Sequence, residues 1–156
     1  MSFDRLFKFE QDLAEFTGSK KAIAVANGTA ALHICLLLAG VQKDNEVLCP
    51  SLTFIATANA ISYANAIPHF IDVEENTLGL NPNALASHLK DIATIKNGEC
   101  FNTKTGRRIK ALVVMHTFGH PTDMAPVKEL CNQYHITFVE DAAESLGSYY
   151  HGKHTG

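Results

Sequence analysis

Residues 136–144 carry three acids, and two of them, Asp141 and Glu144, have a spacing that could do chemistry. An apolar, β-branched run ends in Glu140 and Asp141, and Glu144 follows after two small residues. Such a run is typical of a buried strand, and open α/β sheets bind ligands at the carboxyl ends of their strands. A fixed anion at Asp141 could hold a proton on a heterocyclic nitrogen and raise the pKa of that nitrogen, so that the ring acts as an electron sink. Glu144 could bond a phenolic oxygen of the ring or a neighbouring water.

Two other interpretations of this acidic pair stay open. An Asp followed three residues later by a Glu is also a common capping pattern at a helix N-terminus, which would give Asp141 a structural role. Paired carboxylates also serve glycosidases, although nothing else in the chain indicates a sugar-cleaving cleft.

Residues 27–30, Asn-Gly-Thr-Ala, open a predicted helix directly after a predicted strand. Free backbone N–H groups and the positive end of the helix dipole can hold a phosphate at such a position, and Gly28 lets the anion approach closely. The structural alternative is a tight turn capped by Asn27 or Thr29. The segment has neither the dinucleotide pattern nor the P-loop pattern, which disfavours a dinucleotide or a nucleoside triphosphate.

Phe54 lies in another turn that follows a predicted strand. Its ring could stack on the flat face of a cofactor, a contact that contributes roughly 1 kcal/mol beyond area burial. The alternative is that Phe54 belongs to the core, as a single Phe near a helix start usually does.

His116 and His120 have the spacing of metal ligands. Gly119 and Pro121 disfavour the helix that would bring the two rings to one face, and no third ligand follows nearby. We predict no metal site here and expect a rim loop with His116 near the site.

The hydrophobic pattern predicts the elements that must position these residues. Predicted helices span residues 3–16, 28–38, 53–63, 81–95 and 123–134, and predicted strands span 22–25, 46–49, 67–73, 110–115 and 136–140. Residues 97–108 are polar, with Asn-Gly and Thr-Gly pairs, and predict a surface hairpin or loop. Alternating strands and helices imply parallel pairing, hence an α/β fold with three α/β/α layers around a mostly parallel sheet.

The candidate residues share one position in this arrangement, because each group follows a predicted strand. In a parallel sheet these strand ends meet along one rim. We therefore expect the following residues to gather there: 27–29, 51–54, Asp72, 116–120 and Asp141.

Composition narrows the class of protein. The 156 residues are 46% apolar and 19% charged, as in ordinary globular proteins, and the net charge of -3 without a basic run argues against a nucleic-acid partner. The N-terminus lacks a signal-peptide segment, and the most apolar helix candidate, 30–41, is too short to span a bilayer. The four cysteines form no close pairs and are predicted to be free thiols, so we expect a cytoplasmic protein without a membrane partner.

An ordered series of segments resembles the DegT-type sugar-nucleotide aminotransferases, which are pyridoxal-phosphate enzymes with the aspartate aminotransferase fold. The similar segments extend over almost the whole chain and include residues 9–10, 14–18, 27–32, 50–54, 66–68, 116–120 and 140–148. The resemblance implies that residues 1–156 are part of the large, cofactor-binding domain of a fold-type-I enzyme. Residues 97–108 resemble an insertion of the subgroup that makes 4-amino-4,6-dideoxy-N-acetylglucosamine, a precursor of legionaminic-acid-type or bacillosamine-type sugars.

The resemblance also implies a cofactor, pyridoxal 5'-phosphate, and a role for each site residue. The cofactor phosphate would be held by three neighbouring residues: Gly28, Thr29 and Ala30. Phe54 would stack on the ring, Asp141 would pair with the pyridine nitrogen, and Glu144 would lie near the 3-hydroxyl side.

The implied reaction moves an amino group from L-glutamate to C4 of a UDP-linked 4-keto-6-deoxy-N-acetyl-sugar. It would serve bacterial surface-polysaccharide or nonulosonic-acid biosynthesis, in a homodimer. The family's Schiff-base lysine and its small C-terminal domain have no matching segment in this chain, and Lys153 matches a different, loop lysine. We therefore expect no catalytic residue within the chain and no activity of the chain alone. A pyridoxamine-dependent sugar dehydratase of the same fold and a non-catalytic, degenerate subunit are the alternatives.

Overall fold

The computed structural model describes residues 3–156, which alternate between helices and strands as the sequence predicts. In chain order the elements are α1 (Phe3–Thr17), α2 (Gly28–Leu38), β1 (Glu46–Pro50), α3 (Ile55–Tyr63), β2 (Ile67–Ile71), α4 (Pro82–Ile92), β3 (Ala93–Lys96), β4 (Glu99–Asn102), β5 (Ile109–Met115), α5 (Met124–Gln133), β6 (Thr137–Asp141), β7 (Tyr149–Tyr150) and β8 (Lys153–His154). A single 3-10 turn, Thr117–Gly119, follows β5.

Four strands form a parallel sheet in the order β2-β1-β5-β6. In its register Met115 lies opposite Asp141, so the carboxyl ends of β5 and β6 are level. The strands β3 and β4 form a separate antiparallel pair, as do β7 and β8. The predicted α/β fold with a mostly parallel sheet is confirmed.

Each face of the sheet carries two helices, which gives the three layers. On one face, Leu36 of α2 and Ile61 of α3 pack against Val47 and Val113. On the other face, side chains of α4 and α5 pack against the same strands from behind: Leu85, Leu89, Val127 and Cys131. Because β1 and β5 are central and covered on both sides, their sequences are almost continuously apolar, as in other buried parallel strands.

The predicted strand over residues 22–25 is wrong. Within residues 3–156 this segment pairs with no strand, and Ile23 is 78% exposed. Ala24 N–H donates instead to a carboxylate oxygen of Glu10 at 2.8 Å. Apolar residues favour a strand only where a neighbouring strand accepts their backbone hydrogen bonds, which the local pattern cannot reveal.

The predicted helix over residues 81–95 runs too far. The helix α4 ends at Ile92, and Ala93–Lys96 forms β3, which pairs with β4 across a turn. Asn97 and Gly98 occupy that turn with φ values of 53° and 76°, the positive values that two-residue hairpins require. The predicted hairpin is therefore confirmed, but it begins earlier than expected because Thr94 and Ile95 are β-branched and favour a strand.

A buried carboxylate ties this hairpin to the sheet. Glu46, the first residue of β1, accepts hydrogen bonds from Asn102 Nδ2 at 2.8 Å and from Thr105 Oγ1 at 2.6 Å. His69 Nδ1 lies 3.0 Å from the same carboxylate. Burial by itself raises the pKa of Glu46, but the hydrogen bonds from Thr105, Asn102 and His69 outweigh it and leave the pKa below its usual value. The network lies at the amino end of β1, away from the rim where β5 and β6 end.

All four cysteines are free thiols, as predicted. Burial raises the pKa of the Cys49 and Cys131 thiols to about 12 and that of Cys100 to about 11. In the described part of the chain, no helix combines the length and the apolar character needed to cross a membrane.

Candidate active site

A cavity of about 280 Å³ lies where the carboxyl ends of β5 and β6 meet the first turns of α2 and α3. Five of the six residues predicted to bind a cofactor line this cavity. Its lining residues are Gly28, Thr29, Leu32, Phe54, Ala56, Met115, Asp141, Ala143 and Glu144. Segments separated by more than 100 residues in the sequence thus meet in one place.

Asp141 supplies the cavity with a buried carboxylate, since its residue is only 7% exposed. Thr57 Oγ1 donates to Oδ2 at 2.9 Å, and Ala143 N–H donates to Oδ1 at 3.3 Å. Each carboxylate oxygen can accept about two hydrogen bonds, so acceptor capacity remains for a group inside the cavity. An anion held this way can stabilise a proton on a ring nitrogen.

Phe54 supplies an aromatic side chain to the cavity. The residue is 63% exposed, so the alternative that it belongs to the core is wrong. The residue caps the start of α3 in an extended conformation. Its N–H donates to the sulfur of Met115 at 3.1 Å, and Met115 also lines the cavity. The backbone of Phe54 is therefore fixed to β5 while its ring stays free to contact a ligand.

The first turn of α2 supplies backbone donors. Gly28 and Thr29 line the cavity, and their N–H groups have no acceptor within residues 3–156. Ala30 differs, because its N–H donates to the side chain of Asn27 at 2.9 Å and the residue does not line the cavity. The capping interpretation of this turn is confirmed, because Asn27 caps the helix. Two N–H groups at the positive end of the helix remain available for an anion, so the phosphate interpretation stays a prediction.

The helix-capping interpretation of Asp141 and Glu144 is wrong, because residues 142–148 form turns rather than a helix. Glu144 Oε2 accepts instead from Phe118 N–H at 2.7 Å, which joins the loop after β6 to the loop after β5. A second link is Ser148 Oγ, which donates to the carbonyl oxygen of Gly119 at 2.8 Å. Phe118 has a φ of 53°, a left-handed conformation that this anchoring holds in a non-glycine residue.

Glu140, the neighbour of Asp141, faces the other side of the sheet because side chains alternate along a strand. His116 Nε2 lies 3.4 Å from its carboxylate, Lys128 Nζ lies 3.1 Å away, and Gly156 N–H donates at 2.9 Å. Burial raises the pKa of Glu140, but the partners His116, Gly156 and Lys128 lower it to about 2. Only one of the two adjacent acids therefore serves the cavity.

The predicted gathering of polar residues along one rim is only partly right. Ser51 and Asp72 line a different, open cavity of about 740 Å³, together with His88 and Asp91. His116 is buried and accepts from Thr122 N–H at its Nδ1, 3.2 Å away. Within residues 3–156 no cluster of His, Cys, Asp or Glu is arranged to hold a metal ion, so the metal interpretation of the histidines lacks a ligand set.

Two residues of the site, Thr57 and Met115, were not predicted. A signal for Thr57 exists in the sequence, since it lies three and four residues before Ala60 and Ile61 on the buried stripe of α3. A hydroxyl on such a stripe needs a hydrogen-bonding partner. Met115 gives no comparable signal, because a Met that ends an apolar strand is an ordinary core residue.

The chemistry of this lining fits one kind of ligand. A buried anion, an exposed aromatic face and a pair of free N–H groups suit a flat, nitrogen-containing ring with an anionic tail, and pyridoxal phosphate has these features. Asp141 would hold the ring nitrogen, Phe54 the ring face, and Gly28 with Thr29 the phosphate.

Comparisons with known proteins agree with this chemistry. A model described as the DegT/DnrJ/EryC1/StrS aminotransferase family matches residues 2–156. EpsN of Bacillus subtilis (strain 168), named as a candidate pyridoxal phosphate-dependent aminotransferase, is 40% identical over 148 residues, which are 95% of this chain and 36% of EpsN. GDP-perosamine synthase of Caulobacter vibrioides is 36% identical over 151 residues, which are 97% of this chain and 36% of that protein.

A solved structure of the Bacillus subtilis protein NtdA with bound cofactor PMP is also similar. It has a TM-score of 0.82 and 26% identity to this chain, and the match covers 99% of this chain and 32% of NtdA. The chain thus spans about a third of the length of the proteins that it matches.

Proposed function

The chain belongs to the DegT/DnrJ/EryC1/StrS aminotransferase family, and from this premise we propose that it forms the cofactor-binding part of a sugar-nucleotide aminotransferase. The cofactor of this family is pyridoxal phosphate. We also propose that residues 1–156 form part of one domain, the cofactor-binding domain.

One observation carries the proposal: a single cavity is lined by five residues that the sequence predicts for cofactor binding. They are Gly28, Thr29, Phe54, Asp141 and Glu144. A buried carboxylate in a cavity is unfavourable unless it has partners, and the two donors of Asp141 leave room for a third, cationic partner.

Each side chain has a defined task in this proposal. When bound, pyridoxal phosphate supplies a conjugated ring that takes up the electron pair released at the carbon bearing the amino group. Asp141 keeps the ring nitrogen protonated, Phe54 fixes the plane of the ring, and the N–H groups of Gly28 and Thr29 hold the phosphate. Glu144 lies at the cavity wall, where its second carboxylate oxygen can accept from the 3-hydroxyl side or from a water.

For the substrate we propose a UDP-linked 4-keto-6-deoxy-N-acetyl-sugar that is aminated at C4, with L-glutamate as the amino donor. The segment over residues 97–108 supports this choice through its resemblance to an insertion of the legionaminic-acid and bacillosamine subgroup. The similarity to a GDP-perosamine synthase makes the GDP-linked sugar the competing substrate. We expect a cytoplasmic homodimer that serves surface-polysaccharide or nonulosonic-acid biosynthesis.

The first test measures cofactor binding by the full gene product. Asp141→Asn should weaken the binding of pyridoxal phosphate by about 10-fold or more, because a hydrogen bond to a charged group contributes about 1.5–3 kcal/mol. Asp72→Asn is the matched control, since Asp72 also follows a strand but lines the other cavity. Equal affinities of the wild type and Asp141→Asn, measured by equilibrium dialysis, would overturn the proposal.

The second test measures the reaction. The full gene product is supplied with L-glutamate and either the UDP-linked or the GDP-linked 4-keto-sugar, and 2-oxoglutarate is quantified. We expect turnover with the UDP-linked sugar, and we expect none from the 156-residue chain alone, since no residue in it matches the family's Schiff-base lysine. Loss of water from the sugar without consumption of glutamate would instead indicate the pyridoxamine-dependent dehydratase.

A further inference from the structure

The hydroxyl of Thr57 is buried where helix packing alone would favour an apolar group. The residue is 1% exposed and lies on the stripe of α3 that also carries Ala60 and Ile61. Burying a hydroxyl is unfavourable unless a partner accepts its proton. Here the acceptor is Oδ2 of Asp141, 2.9 Å away and 84 residues along the chain.

A second threonine fixes the direction of this hydrogen bond. Thr53 Oγ1 lies 2.8 Å from Thr57 Oγ1 and donates to it. A hydroxyl has one proton, so Thr57 accepts from Thr53 and gives its own proton to Asp141. The resulting chain of hydrogen bonds runs from the bend before α3, through Thr57, to the carboxylate in the cavity.

Met115 closes this chain into a bracket of four residues, Thr53, Thr57, Asp141 and Met115. The sulfur of Met115 lies in contact with Thr53 Oγ1, 3.1 Å away, without a hydrogen bond because Thr53 gives its one proton to Thr57. Met115 is also the direct register partner of Asp141 across β5 and β6. The same sulfur accepts from Phe54 N–H. The aromatic ring and the carboxylate of the cavity are thereby held in a fixed relation, although they come from distant segments.

We propose that Thr57 is a positioning residue that holds the Asp141 carboxylate in the orientation in which it meets the ring nitrogen of the cofactor. This inference rests on the proposed function, because Asp141 is the group that acts on the cofactor. Without the hydroxyl, Oδ2 loses its only side-chain donor within residues 3–156, and the carboxylate can rotate toward Ala143 N–H. Fewer molecules then present the anion in the productive direction.

The test uses three variants of the full gene product. Thr57→Val removes the hydroxyl and keeps the shape, whereas Thr57→Ser restores the hydroxyl. Thr105→Val is the matched control, because Thr105 also donates its hydroxyl to a buried carboxylate, that of Glu46. Glu46 lies at the amino end of β1, whereas the cavity lies at the carboxyl ends of the strands. All three changes alter a threonine, but only Thr57 contacts the cavity carboxylate.

Two measurements follow. In crystal structures of the cofactor-free protein, the Asp141 carboxylate should keep its wild-type orientation in Thr57→Ser and rotate in Thr57→Val. Equilibrium dialysis should give about 10-fold weaker pyridoxal phosphate binding for Thr57→Val, near-wild-type binding for Thr57→Ser, and no change for Thr105→Val. In Thr57→Val the absorbance of the bound cofactor should also change at a lower pH, because its ring nitrogen loses its proton more easily.

The outcomes separate this inference from the proposed function. If Asp141→Asn weakens binding but Thr57→Val does not, Thr57 is not a positioning residue and the proposed function stands. If Asp141→Asn has no effect, the proposed function fails, and the crystal structures still decide whether Thr57 orients the carboxylate. An unmoved carboxylate in Thr57→Val overturns the inference whatever the cofactor does.

Discussion

His69 Nε2 and His88 Nε2 lie 2.7 Å apart, which leaves room for a single proton between the two rings. The other ring nitrogen of His69, Nδ1, lies 3.0 Å from the Glu46 carboxylate and donates to it. While both rings are neutral, His69 Nε2 must then accept, and His88 donates; a second proton on His69 would repel a proton on His88. The strand β2, the helix α4 and the buried carboxylate at the start of β1 are therefore joined by one chain of hydrogen bonds.

This pair makes the stability of the protein depend on pH. Burial lowers the pKa of His88, positive charge at His69 and Lys104 lowers it further, and the acids Asp91 and Glu46 oppose the shift. A histidine with a lowered pKa binds fewer protons in the folded than in the unfolded state, where its value is 6.5. The free energy of unfolding should thus fall as the pH falls from about 6.5 toward the folded-state pKa, by less than the ~1.4 kcal/mol per pH unit of one full proton.

Urea unfolding between pH 5 and pH 7.5 measures this dependence. His88→Gln should flatten the slope, because the amide keeps a donor for His69 but does not titrate. His151→Gln is the control for removing a histidine outside the His69–His88 contact, since His151 lies in the loop between β7 and β8. A His88→Gln slope equal to that of the wild type would contradict the assignment.

Replacing Phe54 should weaken cofactor binding with little effect on the stability of the protein. The residue is 63% exposed, so Phe54→Ala should change the free energy of unfolding by less than about 0.5 kcal/mol. Pyridoxal phosphate binding should weaken by about fivefold, because stacking contributes about 1 kcal/mol. Phe70→Ala is the control: Phe70 is 53% exposed, but it lines the other cavity and should not affect binding. If Phe54→Ala lowered the free energy of unfolding by about 3 kcal/mol, the side chain would have to be part of the core.

Gly28 offers a change whose effects on stability and binding should have opposite signs. A Cβ at this position meets no heavy atom within 4 Å, and its φ lies outside the left-handed range. Gly28→Ala should therefore stabilise the protein by about 0.4–1 kcal/mol through the unfolded state. The added methyl group stands beside the free N–H groups of the cavity, so the affinity for pyridoxal phosphate should fall. Thermal unfolding and equilibrium dialysis on the same preparation test both signs, and unchanged affinity would mean that the phosphate binds elsewhere.

The sequence predicts the elements and the candidate cavity well because both depend on local signals. The predicted helix over 28–38 has the same ends as α2, Gly28–Leu38, and the acids at the end of β6 mark the rim. The buried stripe of α3 marks the Thr57 hydroxyl as a group that needs a partner, but no local signal identifies Asp141, 84 residues away, as that partner. For the same reason the strand predicted over 22–25 is wrong, since its pairing depends on residues distant in the chain.

The sequence also could not predict that the residues along the rim line two separate cavities. Ser51 and Asp72 directly follow β1 and β2, and Asp141 is the last residue of β6, so all three lie at the carboxyl ends of strands. Only the strand order shows that β2 lies at the edge of the sheet, two strands away from β5. A rule based on strand ends finds the rim but cannot tell which residues share a ligand.

Gly119 tests whether the loops after β5 and β6 are locked together at the candidate site. Its φ is 82°, and an added Cβ would lie 2.9 Å from the carbonyl oxygen of Glu144. Gly18 has a similar φ of 72° and open space around the same position, so it isolates the backbone effect. Gly18→Ala should lower the free energy of unfolding by about 1 kcal/mol, and Gly119→Ala by about 1–3 kcal/mol more, because only the latter adds a steric clash. Urea unfolding of both variants gives the difference. Equal losses would show that the two loops separate freely, and the position of Glu144 at the cavity wall would then not depend on Gly119.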